Sequence, residues 1–134
     1  MRRLTAALLF VVSYASCASA QSLPVPSHWK DGSGSELLLY TIDAKGAFTG
    51  AFISHAPGFA CANLPFDLHG QVHGDHVRFV VMWKNVTKDC KSQTSWYGRV
   101  TGGAMTTWWV QTDVGHKGAT KAMRGADHFQ KQQL

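Results

Sequence analysis

Past residue 20 this chain never sustains the 3.6-residue rhythm of an amphipathic helix. Instead, short runs that alternate apolar and polar side chains recur roughly every ten residues, each closed by a turn-forming group. Trp29-Lys30-Asp31 opens the first run. Glu36 to Ile42, Ala47 to His55, Phe66 to His73, His76 to Trp83, Thr94 to Thr101, Ala104 to Asp113 and Thr120 to Gln130 follow. Asp43-Ala44-Lys45-Gly46, Gly74-Asp75 and Gly102-Gly103 read as tight turns, and Ala56 to Pro65 and Asn85 to Lys91 as longer loops. Strands in such hairpin succession must hide their edges, and closing into a barrel does so. The pattern therefore predicts an all-β fold: an eight-stranded antiparallel up-and-down β-barrel with a ligand pocket at one end, since an interior of that size holds one small ligand. A β-sandwich is the other architecture the pattern allows.

All five tryptophans (Trp29, Trp83, Trp96, Trp108 and Trp109) fall on these alternating runs. Trp83, Trp96 and Trp108 come from three different strands and can face one interior. Aromatic walls with a few polar groups are what a deep small-molecule pocket needs. Trp109 neighbours Trp108 on one strand, so the two must face opposite ways.

Residues 1–20 read as a signal peptide: Arg2 and Arg3 supply the positive start, Leu4 to Ala15 the apolar run, and Ala18-Ser19-Ala20 the small-residue cleavage site. That run is too short to span a bilayer. Residues 21–134 then form one domain, long enough for a real core and expected to be secreted or periplasmic. Without Arg2 and Arg3 it carries 11 Lys and Arg against 8 Asp and Glu, a net +3 scattered along the chain. Nothing in that distribution points to nucleic acid or a membrane surface. Cys17 leaves with the leader, and Cys61 and Cys90 remain, an even count that in an exported chain implies a disulfide. A metal pair is the rival, without ordered His spacing to support it.

His69, His73 and His76 lie close together, but His69 and His73 are four apart on a strand with no carboxylate or Cys partner, so no metal site is expected. No Ser-His-Asp order, phosphate-binding Gly loop or paired catalytic carboxylates stands out, so the chain reads as a binder without enzymatic activity.

Six segments, in order and spread over nearly the whole domain, resemble the avidin family. They are Trp29-Lys30-Asp31-Gly32-Ser33-Gly34-Ser35, Gly46-Ala47-Phe48-Thr49-Gly50-Ala51-Phe52, Trp83-Lys84-Asn85, Ser92-Gln93-Thr94-Ser95-Trp96-Tyr97-Gly98, Thr106-Thr107-Trp108 and Gly125-Ala126-Asp127-His128-Phe129. The segments around Cys61 and Cys90 are similar to its disulfide-bearing, rhizavidin-like branch, whose members are mostly dimers. Tetrameric relatives lend a tryptophan to a neighbour's pocket, and here that position falls at Ala119 or another non-aromatic residue of that loop.

The resemblance implies biotin as ligand, no further cofactor, and a homodimer. It implies Trp83, Trp96 and Trp108 as walls for the bicyclic ring, with Trp109 on the outside at a subunit interface; a register shifted by one residue exchanges the roles of Trp108 and Trp109. Asp127 and Ser54 match acceptors for the ureido N–H groups, Thr94 a contact to the ring sulfur, and Ser92 a contact to the tail carboxylate. Around the ureido oxygen the family places an amide, a serine and a tyrosine. This chain keeps Ser35 but carries Asp31 and Phe52 at the other two positions. Each lost donor costs about 1–3 kcal/mol, so two predict binding weaker by roughly 10- to 10,000-fold. The departures also admit a barrel turned to another ureido-, lactam- or peptide-like ligand. Asp31 beside Asp127 pairs two carboxylates, so one pKa should rise. If Asp31 takes the proton it becomes a donor, and affinity then falls as pH rises.

Overall fold

The computed structural model describes residues 12–13, 23–114 and 121–134. The rest of the expected leader, Ala119, and the expected start of the last strand at Thr120 lie outside the described residues.

Eight strands form one closed antiparallel barrel in chain order. They are β1 (Ser27–Lys30), β2 (Glu36–Ile42), β3 (Ala47–Ile53), β4 (Pro65–His73), β5 (His76–Lys84), β6 (Asp89–Thr101), β7 (Ala104–Asp113) and β8 (Ala122–Lys131). Each pairs with its successor, and β1 closes onto β8 through Trp29 opposite Lys131 and Lys30 opposite Gln130. Closure leaves no long unpaired edge, which meets the need the sequence pattern imposed.

The turns follow from local chemistry. The Asp43 carboxylate accepts from the Lys45 and Ala47 backbone N–H groups at 2.8 and 2.9 Å, and Gly46 supplies the positive φ of 84° that ends the turn. The β5–β6 connection is shorter than expected. Asn85 Oδ1 accepts from the N–H groups of Thr87 and Lys88, both at 2.8 Å, and folds the chain back within four residues. Strand pairing resumes at Asp89 opposite Lys84, so Cys90 and Ser92 belong to β6 and not to a loop.

Side chains alternate between solvent and interior as a half-buried sheet requires. Trp29, Phe48, Phe66, Leu68, Met105 and Phe129 are at most 2% exposed and fill the barrel. Trp29 satisfies its indole N–H on Ser27 Oγ at 2.9 Å, and that hydroxyl donates to the Pro24 carbonyl at 2.6 Å. Up-and-down winding places the β1–β2, β3–β4 and β5–β6 connections at one end, together with the end of β7 and the start of β8, and the cavity opens there.

Candidate ligand pocket

The β3–β4 connection is tied down on both flanks. Cys61 is bonded to Cys90 on β6, with Cα atoms 6.2 Å apart. At its foot, the Asn63 N–H donates to the Ser54 carbonyl at 2.7 Å. The His55 ring lies between Asn63 Oδ1, 2.7 Å from Nδ1, and Glu36 Oε2, 3.3 Å from Nε2. Contact with Asn63 and then with Glu36 raises the His55 pKa. Burial pushes the Glu36 carboxyl up, but its bonds to His55 and His28 and the nearby Lys30 outweigh this and leave it lowered. So anchored, the connection carries Phe59 over Trp83, ring centroids 4.8 Å apart and nearly perpendicular.

Beneath it lies a cavity of about 360 Å³, within the range for small-ligand sites. Asp31, Ser35, Phe52, Ser54, Trp83, Thr94, Trp96 and Asp127, all expected in the site, line it together. Phe52 forms the floor, 4.8 Å from the Trp96 ring and edge-on to Trp83 at 5.9 Å. Trp96 stacks on Phe79 at 5.0 Å, so its plane is set from behind. Both buried indoles have paired N–H groups: Trp83 donates to Thr94 Oγ1 at 2.7 Å, and Trp96 to Asp127 Oδ2 at 2.8 Å.

Two expected residues stand elsewhere. Trp108 is 51% exposed on the outer face, stacked on Tyr97 at 6.0 Å, and the indole at the cavity wall is Trp109. The cause is register. The Gly102-Gly103 turn pairs Thr101 with Ala104, and from there, without a bulge, Trp96 falls opposite Trp109. Directly opposed residues share a face, so an inward Trp96 requires an inward Trp109. Across β8, Gly125 opposes Trp109, and a Cβ there would overlap the indole, so the glycine makes room for the ring. Ser92, the expected tail contact, is 5% exposed on the same inward face of β6 as Thr94 and Trp96 but does not line the cavity.

The corner expected to supply hydrogen-bond donors is occupied internally. Asp31 Oδ1 accepts from the Ser33 N–H at 2.8 Å, the Ser33 hydroxyl at 2.7 Å and the Ser35 N–H at 2.9 Å. Asp31 thus shapes the β1–β2 loop as an acceptor. Ser33 spends its proton on Asp31, so in the 3.0 Å contact between Ser33 and Ser35 the donor is Ser35. Ser35 Oγ also accepts from the His55 N–H at 2.9 Å. Asp31 therefore serves here as an acceptor and not as the donor expected of it, while the Asp127 pKa is raised. Burial is the main cause and the Asp31 charge adds to it, while the Trp96 and Trp109 indoles pull the other way.

Sequence reasoning missed Trp109, Phe59, Ser33, Gln111 and Met123 as lining residues. Register marks Trp109, Gln111 and Met123; nothing local marks Phe59, which arrives through the disulfide-held loop. Among the described residues no group of three or more His, Cys, Asp or Glu side chains is placed to hold a metal.

The Avidin family model matches residues 10–132. Afifavidin from Afifella pfennigii is 32% identical over 117 residues, covering 83% of this chain and 73% of that protein. The solved structure of apo shwanavidin is 34% identical, with a TM-score of 0.78, covering 84% of this chain and all of that one. A rhizavidin–biotin complex is 31% identical, with a TM-score of 0.75, covering 83% and 94%. A shwanavidin variant is likewise solved with biotin, at a TM-score of 0.77 and 34% identity over 84% of this chain and 100% of that one.

Proposed function

The chain belongs to the avidin family, and on that premise we propose that its cavity binds one biotin per chain and catalyses nothing. One observation carries the reading: a half-buried carboxylate, Asp127, and a buried hydroxyl, Ser54, share an aromatic-walled cavity of about 360 Å³. Such a site suits a flat group with two N–H donors and an apolar ring. Asp127 and Ser54 accept the ureido N–H groups. Trp83, Trp96 and Trp109 wall the bicyclic ring over Phe52. Thr94 and Ser35 complete the polar contacts, and Ser35 must turn its proton from Ser33 to reach the ureido oxygen.

We also read the protein as exported, outside the cytoplasm where a disulfide persists. It is read as a homodimer, because Tyr97, Trp108 and Met82 expose large apolar side chains on the outer barrel face at 55%, 51% and 48%.

Calorimetric titration of the oxidised protein with biotin at pH 7 should give one site per chain. No heat from a protein shown to be folded would end the biotin reading. It would favour a different ureido-, lactam- or peptide-like ligand, for which the acceptor role of Asp31 and the apolar Phe52 are the supporting features.

Affinity should fall on acidification, the reverse of what a protonated Asp31 would produce. The folded-state pKa of Asp127 is raised above its ordinary 3.8. Its contribution to stability is therefore fully present below the ordinary value and lost as pH rises through the raised one. Ligand N–H groups need the ionised acceptor, so binding weakens as pH falls through that raised value. Titrating with biotin methyl ester from pH 8 to pH 4 keeps the ligand's own carboxyl out of the measurement. Asp127→Asn should bind more weakly at pH 7 and show a flat profile. A wild-type profile that is also flat would remove Asp127 from this role.

A further inference from the structure

Gln111 stands on the inward face of β7, two residues nearer the open end than Trp109, opposite Thr94 on β6 and Met123 on β8. It lines the cavity and is half-buried. A short relay fixes the direction of its amide. The Trp83 indole can only donate, so Thr94 Oγ1 accepts from it at 2.7 Å. The Thr94 proton is then free and goes to Gln111 Oε1 at 3.2 Å. With its oxygen held by Thr94, Gln111 turns its Nε2 away, and that NH₂ has no protein partner among the described residues.

The neighbouring donors are committed. Thr94 has spent its proton on Gln111, Ser33 has spent its proton on Asp31, and Ser92 does not reach the cavity. A ligand seated with its ring against Trp96 and Asp127 sends its other end past Gln111 toward the opening.

We propose that Gln111 is a specificity-determining residue whose amide N–H receives the acceptor oxygen at the outer end of the ligand, so that the site selects ligands carrying a carboxylate there. The inference rests on the biotin reading and deepens it by assigning the outer contact to Gln111 in place of Ser92.

The test compares biotin with an analogue whose carboxyl is replaced by methyl, using wild-type protein, Gln111→Met and Gln111→Glu. Gln111→Met keeps the length and removes the donors. It should weaken biotin about 10- to 150-fold, the loss of one hydrogen bond to a charged group, and leave the methyl analogue within about twofold. Gln111→Glu places like charges together and should weaken biotin more than Gln111→Met does, again sparing the analogue. Equal losses for both ligands would mean that Gln111 only supports Thr94 and would overturn the proposal. So would unchanged biotin binding in both variants. Wild-type protein that binds the methyl analogue no more weakly than biotin would also overturn it, with the biotin reading intact. Wild-type protein that binds neither ligand would overturn both.

Discussion

Trp109→Ala should cut biotin affinity by about 30- to 1,000-fold, the ~2–4 kcal/mol that a central aromatic anchor contributes. Trp108→Ala should leave it within about twofold, as an outer-face substitution does. The neighbours separate because strand residues alternate. Trp109 shares the cavity with Trp96 and lies on Gly125, while Trp108 stacks on Tyr97 in solvent. Light scattering supplies the second half of the comparison: Trp108→Ala should shift mass toward the single chain, and Trp109→Ala should not. Titration showing Trp108→Ala as the more damaging of the two would refute the assignment of the indoles.

Removing the disulfide through paired Cys61→Ala and Cys90→Ala should cost about 3–4 kcal/mol of stability by chain entropy, since the bond closes 29 residues of sequence separation. For a domain of this size that lowers Tm by roughly 10–20 °C. Thermal unfolding followed by tryptophan fluorescence measures it. A shift of a few degrees would mean that the His55, Asn63 and Glu36 contacts hold the connection by themselves. Affinity should fall as well, measured well below the new Tm, because Phe59 reaches Trp83 on this tethered segment. Unchanged affinity would show that Phe59 finds its place without the tether.

Both experiments probe features that differ in how far the sequence reveals them. The two cysteines, left as an even pair after the leader, imply their bond before any coordinates. The strands are legible because the alternation and the turn groups are local signals, and β2 and β7 begin and end where the pattern puts them. β6 starts five residues earlier than its pattern because Asn85 compresses the turn before it, and a side-chain bond of that kind does not show in alternation.

The composition of the pocket is likewise mostly legible. Asp31, Ser35, Phe52, Ser54, Trp83, Thr94, Trp96 and Asp127 line one cavity as the avidin resemblance implies, whereas strand alternation by itself pointed only to the indoles. What each polar group is free to do is not legible. Asp31 is spent on its own loop, Ser35 on Ser33, and Thr94 on Gln111, and these commitments arise only when the strands close.

The amino-acid sequence by itself determined eight strands in hairpin succession, through local periodicity and turn chemistry, and a disulfide, through its even count of cysteines. Only the tertiary structure decided that Trp109 and not Trp108 faces the ligand, that Ser92 is outside the cavity, and which donors remain free. The physical reason is that side-chain facing depends on register, where a slip of one residue inverts a whole strand. Hydrogen-bond availability depends in turn on neighbours far apart in the chain.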